Sequence, residues 1–439
     1  MREMFQSLAA ELVRVDLNTH VGRISEVSGG VLHVTGLQAY ARMGDRVAIK
    51  TRTETVGGEV LRLSPKSLVI LPDGGGEGMA IGDQVEMRGG SFIAPDDTWI
   101  GRIIDAFGNP LDGKPLFCGQ VQRPVRALAP PATSRRRLGA RLETSVAVFD
   151  TLLPLVRGQR IGLFAGSGVG KSSLLARFAR GVEADVIVIG LVGERGRELR
   201  EFTERTLGAA GMARSVIVAA TSDQSPLARR RCAWTAIAVA EHFRDQGLQV
   251  LLLIDSITRF AEAHREVALA AGEEAGMGGF PPSTSALIMG LAERAGPGPE
   301  GTGDITAVFS VLVAGSDMDG TVADILRGVL DGHVVMDRKI AERGRFPAID
   351  LLRSVSRSLP DAASQEENAL IGRARQLLGA YDRAELMIQA GLYSKGSDPM
   401  IDKAIEVWPS LDGFLAEMAP QNGIEGSFQR LGAILAKVG

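Results

Sequence analysis

A chain of 439 residues has room for about two to four domains, and its 45% apolar content supplies sizeable cores. The formal charge of −3, from 49 basic and 52 acidic residues, gives no bulk attraction to nucleic acid. The two cysteines, Cys118 and Cys232, exclude a disulfide framework and fit a reducing compartment. No apolar run approaches the ~18 residues of a membrane span. Residues 1–18 are charged throughout, unlike a secretory signal. A soluble cytoplasmic chain is expected, touching a membrane only through partners.

Residues 1–18 read as one helix, with Phe5, Leu8, Leu12 and Val15 on a common face at 3.6-residue period. So short a stripe cannot bury itself; it either docks on its own chain or serves as a handle for a partner protein. From His20 to Gly90 the period changes to two. Val21–Val27, Val31–Val34, Arg46–Ile49 and Ser67–Ile70 read as strands separated by glycine turns, including one at Gly57-Gly58. This spacing predicts a small β-barrel over 19–93. Residues 20–90 balance eight Arg/Lys against eight Asp/Glu and have Tyr40 as their one aromatic. An oligonucleotide-binding barrel needs positive charge and stacking rings, so the barrel reads as structural.

Residues 91–145 read as a transition: turns at 105–113, then an extended Pro-rich linker ending in Arg135, Arg136 and Arg137. A solvated face is the favoured reading of that charge run, over a phosphate or lipid contact. Apolar runs at Arg160–Phe164, Val186–Val192, Ser215–Ala219, Val250–Ile254 and Ile305–Val313 alternate with helical patterns, as in an α/β fold whose parallel strands are buried on both faces. The core is placed at 94–360. A small helical domain follows at 361–439, with helices over Gln365–Leu378, Tyr381–Gly391, Met400–Glu406 and Gly426–Lys437.

The first core strand runs into Ala165, Gly166, Ser167, Gly168, Val169, Gly170, Lys171, Ser172 and Ser173. This is the P-loop pattern with Ala165 in place of the first glycine. Glycines free the backbone N–H groups to wrap a phosphate chain, and the helix N-terminus favours the same anion. Lys171 is expected on the β/γ-phosphates of ATP and Ser172 on Mg²⁺. Ligands of open α/β sheets sit at the carboxyl ends of strands. There Asp255 closes Val250–Ile254 and reads as a second metal ligand, with an N-cap role as the alternative. Glu194 reads as the base that holds and deprotonates the attacking water, on a strand expected beside the P-loop strand; a surface ion pair with Arg195 or Arg197 is its alternative. Arg357, beyond the last core strand, fits an arginine finger lent by a neighbouring subunit. Phe346 either stacks on adenine or packs in the core, and spacing favours the core.

Together, the P-loop, Gly193-Glu194-Arg195-Gly196-Arg197-Glu198, Leu252-Leu253-Ile254-Asp255-Ser256 and Arg345-Phe346-Pro347-Ala348-Ile349-Asp350 with Ser354-Val355-Ser356-Arg357 resemble the catalytic subunits of rotary ATPases. Within that superfamily the wording is most similar to the ATPases of type III protein export, the flagellum-specific ones above all. The resemblance implies a RecA-like P-loop core between an N-terminal β-barrel and a C-terminal helical domain. It further implies a homohexamer with Mg²⁺ and ATP at subunit interfaces, at the cytoplasmic face of the inner membrane. On it Glu194 matches the catalytic glutamate, Asp255 the Walker B aspartate and Arg357 the finger given in trans. Arg195 supports the site, Phe346 packs on adenine and Tyr393 is a second wall. The stripe Phe5, Leu8, Leu12 and Val15 becomes the docking site of a stator or regulator protein. Gly272–Pro282 matches a loop facing the ring's pore. A central stalk-like protein, the export gate and substrate–chaperone complexes are the other implied partners, and nucleic acid is not one. Asp317-Met318-Asp319-Gly320 and Ser145 depart from the family's usual wording, away from the nucleotide motifs.

The function implied is ATP hydrolysis driving flagellar protein export: releasing chaperones and feeding substrates to the gate. The same enzyme in a virulence-type injection system is the alternative. A proton-linked rotary ATPase is disfavoured by the N-terminal helix, and an RNA translocase by the neutral, ring-poor barrel.

Overall fold

Alternating buried and exposed side chains curl the first six strands into a closed barrel: β1 (Val21–Ser28), β2 (Val31–Thr35), β3 (Arg46–Lys50), β4 (Thr55–Leu63), β5 (Leu68–Pro72) and β6 (Gln84–Gly89), in the order β1-β2-β5-β4-β3-β6. Ile24, Leu32, Val34, Ile49, Ile70 and Val85 are buried in its lumen, and closure leaves no open edge. The turn expected at Gly57-Gly58 lies instead inside β4. A Cβ on Gly58 would stand 3.0 Å from the carbonyl oxygen of Leu71, so glycine serves close strand approach there rather than reversal. The computed structural model describes residues 18–313, 318 and 320–438. Phe5, Leu8, Leu12 and Val15, with the expected N-terminal helix, lie outside the described residues, as do Asp317 and Asp319.

The main sheet has nine strands. Eight of them are β7 (Ile103–Asp105), β8 (Arg160–Ala165), β9 (Val186–Glu194), β10 (Ser215–Thr221), β11 (Val250–Asp255), β12 (Asp304–Leu312), β13 (Gly332–Met336) and β14 (Ile349–Ser356), in the order β14-β13-β8-β12-β11-β9-β10-β7. These are parallel except β14, which runs antiparallel to β13. The ninth, Gly296–Pro297, pairs antiparallel with β12. Successive side chains feed opposite faces. Leu251 and Leu253 join a core with α1 (Lys171–Gly181) and the C-terminal helices. Val250, Leu252 and Ile254 join one with α2 (Pro226–Asp245), α3 (Ile257–Ala270), α4 (Ser283–Arg294) and α5 (Thr321–Val329). Each apolar run is thus a strand covered on both sides, as its unbroken hydrophobicity requires.

Four sheet strands were not expected, the two-residue Gly296–Pro297 among them. β7 lies in the supposed transition, and β13 and β14 follow the last run read as core. β7 and β14 form the two sheet edges, β7 only three residues long and β14 with several exposed residues, whereas β13 is buried but only five residues long and opens with Gly332-His333. The linker arginines are a correction too. Arg135 pairs with Glu293 at 2.9 Å and is largely buried, and Arg136 reaches Asp304 at 2.7 Å. Both staple the linker to the core, but only Arg135 leaves the expected solvated face, since Arg136 and Arg137 remain exposed.

The C-terminal helices are α6 (Gln365–Gln389), α7 (Pro399–Leu415) and α8 (Gly423–Leu435). The break expected after Leu378 is absent. Glycine at 379 costs a helix about 1 kcal/mol against alanine, and burial of Leu377, Leu378, Ala380 and Ala384 along the same helix outweighs it. α6 begins with a capping box between Ser364 and Glu367. α7 continues through Pro409 past its expected end at Glu406.

A fully enclosed ion pair joins α2 to α4. Arg294 grips Glu241 through two bonds of 2.8 and 2.6 Å and also donates to the Val125 carbonyl at 2.7 Å. Removing one partner of such a pair strands the other charge, at a cost of roughly 3–5 kcal/mol. Glu241→Ala is therefore expected to lower the urea midpoint strongly, whereas Glu241→Leu with Arg294→Met should recover most of the loss. A midpoint for Glu241→Ala equal to that of the parent would show the pair to be dispensable.

Candidate active site

Between β8 and α1 the backbone turns through Gly168 at φ 78° and Gly170 at φ 88°, left-handed values that favour glycine. No side chain caps the N-terminus of α1, so its first N–H groups remain available to an anion. Lys171 leaves the loop to pair with the carboxylate of Asp255. Asp255 ends β11, is 4% exposed, and also accepts 2.7 Å from the hydroxyl of Ser310 on the adjacent strand β12. Burial of a carboxylate this deep is tolerable because both partners face it.

A cavity of about 290 Å³ opens at this edge of the sheet, lined by Ser172, Ser173, Glu194, Glu198, Glu201, Phe202 and Asp255 among others. It brings the loop serines and both expected acids together. The route differs from the sequence expectation, because β9, which carries Glu194, is not beside the P-loop strand. β12 and β11 lie between them. The chain crosses from β8 over α1 to β9 and fills the gap later, which creates the crevice where ligands of open α/β sheets bind.

Glu194 is half-buried. Burial pushes its carboxyl up to about 7, helped by the charge of Asp255 and opposed by Lys171. An acid so placed exchanges a proton near neutrality, as a general base must. Arg195 is well exposed and pairs with Glu198 at 3.0 Å. Phe346 corrects the reading that spacing favoured: it is 48% exposed, not core. Its ring lies over the P-loop, where a Cβ on Gly170 would meet Phe346 Cδ1 at 3.2 Å. Tyr393 sits in the turn between α6 and α7, its hydroxyl donating 3.0 Å to Asp402; no described contact joins it to the P-loop.

Arg357 is exposed immediately after β14. Because β14 runs antiparallel, Ile349 pairs with Met336 at the P-loop end of β13, whereas Ser356 pairs with Gly332 at the other end. Arg357 thus stands about 15–20 Å from its own P-loop edge, at ~3.3 Å per strand residue. Sequence reasoning missed Ser310, Glu201 and Phe202. The signal for Ser310 was a lone hydroxyl in the apolar stretch 307–313; for the other two there was only their proximity in sequence to Glu194.

The raised pKa of Glu194 sets a sign for stability. Its folded value of about 7 exceeds the ordinary 4.5, so the folded state holds the proton longer, and stability falls as pH rises through that window. Glu194→Gln in nucleotide-free protein should raise the thermal midpoint at pH 8 and leave it unchanged near pH 4. Equal midpoints at pH 8 would mean that burial does not strain this acid.

Residues 145–356 match the ATP synthase alpha/beta family nucleotide-binding domain, and residues 363–431 match the T3SS EscN ATPase C-terminal domain. The flagellum-specific ATP synthase of Caulobacter vibrioides is 43% identical over 98% of this chain and 99% of its own. The type 3 secretion system ATPase of Pseudomonas syringae pv. tomato is 42% identical over 91% of this chain and 93% of its own. Among solved structures, the assembled ATPase EscN of the enteropathogenic E. coli type III secretion system superposes at TM-score 0.87 and 36% identity, covering 94% of this chain and 100% of that one. EscN in complex with its central stalk EscO superposes at 0.85 and 36% identity, with the same coverage. With the P-loop, the buried acid and the neutral-range carboxyl in one crevice, the chain is an ATP-hydrolysing P-loop enzyme and belongs to the family of flagellum-specific and type 3 secretion ATPases.

Proposed function

We propose that this chain energises flagellar type III protein export by hydrolysing Mg-ATP at the interfaces of a homohexameric ring. The observation that carries the reading is a division of parts. Lys171, Ser172, Glu194 and Asp255 meet at one crevice, while Arg357 stands exposed at the opposite end of the sheet. A phosphoryl transfer site needs a cation on the γ-phosphoryl oxygens, and a second copy of the chain is the natural donor. In the ring, Lys171 leaves Asp255 for the β/γ-phosphates, the P-loop N–H groups hold the chain of phosphates, and Glu194 orients the attacking water and takes its proton. Arg195 holds Glu198 in place beside it, and Arg357 of the adjoining subunit stabilises the charge that develops.

The donor set fits magnesium. The Ser172 hydroxyl and Asp255 carboxylate are hard oxygen ligands lining one cavity, and Mg²⁺ at nucleotide sites takes few protein ligands and keeps several waters. When bound, the ion neutralises charge on the phosphate oxygens. Phe346, exposed over the P-loop, is the platform for the base; Tyr393 is a weaker second wall, its hydroxyl being committed elsewhere.

The flagellar setting is supported by the near-complete alignment with the Caulobacter relative, and EscN supports the injection-system alternative. The stripe Phe5, Leu8, Leu12 and Val15 is proposed to dock a stator protein. The C-terminal helices are proposed to receive a central stalk, by analogy with EscN and EscO. The loop at 272–282, whose base is closed by Glu273 accepting from the Ser283 N–H and hydroxyl, is proposed to face the pore. Among the described residues no helix is long and apolar enough to cross a membrane. A cytoplasmic enzyme held at the inner membrane by the export gate and its chaperone–substrate complexes accords with this.

Two measurements test the reading. Glu194→Gln should bind ATP normally and lose turnover by about 10²–10⁴, the usual size of a general-base contribution. Near-parental phosphate release would take Glu194 out of the mechanism. Arg357→Ala and Lys171→Ala should each be inactive alone, and mixed rings should recover a fraction of activity. No recovery in verified mixed rings would sink interface catalysis.

A further inference from the structure

The turn that presents Phe346 is held from behind. Arg345 is 8% exposed, and its guanidinium donates to the Ile349 carbonyl at 2.8 Å and to that of Pro347 at 3.4 Å. One side chain therefore bridges carbonyls just downstream of the aromatic ring. Arg345 Nε lies 3.0 Å from Asp412 Oδ1 of α7, an ion-pair separation without the alignment of a hydrogen bond. Asp412 is one turn from Phe414 and Leu415, which pack in the core shared by α1 and the C-terminal helices. Behind the arginine a cavity of about 310 Å³ separates the turn from α6 and α7, lined by Arg345, Asp350, Tyr381, Trp408 and Asp412 among others. The cavity opens to solvent on one side and is lined also by Lys339, Arg343 and Glu385. Here it gives the turn and the helices room to move relative to each other, with Arg345 as the link across it.

We infer that Arg345, anchored to Asp412, is the positioning residue that sets Phe346 over the P-loop, so that the C-terminal helices govern affinity for the nucleotide base. The inference rests on the reading of Phe346 as the base platform. A displacement of α7 carries Asp412, and through Arg345 it shifts the ring at Gly170. The phosphate-binding groups, carried by β8 and α1, are not part of this linkage. The consequence is a separable effect on base and phosphate.

The test uses full-length protein, ATP as substrate and inorganic tripolyphosphate, which lacks a base, as competitive inhibitor. Stacking of a base on one aromatic ring is worth roughly five- to hundredfold in affinity. Asp412→Ala should raise KM for ATP about five- to tenfold, with kcat and the tripolyphosphate inhibition constant within twofold of the parent. Phe346→Ala should do the same, and the double variant should be no worse than Phe346→Ala alone. Asp412→Glu, which keeps the charge, should restore most of the affinity, and this separates positioning from damage to α7. An unchanged KM for Asp412→Ala, with Phe346→Ala impaired, would overturn the linkage alone. Equal losses for ATP and tripolyphosphate would overturn it as well. If Phe346→Ala itself leaves KM unchanged, the base-platform reading falls first and the inference with it.

Discussion

A carboxylate at the end of a buried strand must be compensated, and in this chain the compensation organises the site. Asp255 closes a strand whose other residues are apolar and enclosed on both faces. Left alone, its charge would destabilise the sheet. Lys171 and Ser310 prevent this. The same requirement makes the crevice selective. A ligand that draws Lys171 away must bring a cation for Asp255 in exchange, and a metal-complexed polyphosphate does both in one event, while a bare anion does only half.

Parallel strands impose the second condition. Because β8, β9, β11 and β12 all point the same way, their carboxyl ends share one edge, and residues distant in sequence meet there without any local signal. Glu194 reaches the crevice although two strands separate β9 from β8. Burial at that edge is the main cause of the high proton affinity of Glu194, and the nearby charge of Asp255 adds to it, so one crevice holds both a compensated buried anion and a carboxyl that titrates near neutrality.

What could be read from the sequence follows from how local each cause is. The P-loop, the closing acid on β11 and the buried strands announce themselves because glycine geometry and unbroken apolarity are properties of a few consecutive residues. The barrel was legible from period and turns, though Gly57-Gly58 misled, since glycine signals close approach as readily as reversal. The neighbourhood of β9 was misjudged because strand order is set by crossovers that no short stretch encodes. For Phe346 spacing alone favoured the core and only the family resemblance placed it at the nucleotide, because its exposure arises from the turn that Arg345 holds. The edge strands β7 and β14 were invisible for the opposite reason: partial cover permits polar residues that blur the pattern, while β13, buried between β14 and β8, was too short to declare itself.

The reversed direction of β14 has a mechanical consequence. Its leading end carries the aromatic ring that lies on this chain's own glycine loop, and its trailing end leads into Arg357, exposed and donating at 3.3 Å to the Arg327 carbonyl. A hydrogen-bonded strand of eight residues behaves as a short stiff rod. Tilting it about its midpoint lowers one end while lifting the other; on the proposed reading of Arg357 as a finger lent to a neighbour, a subunit that tightens around its own ligand alters, in the same stroke and in the contrary sense, what it offers next door.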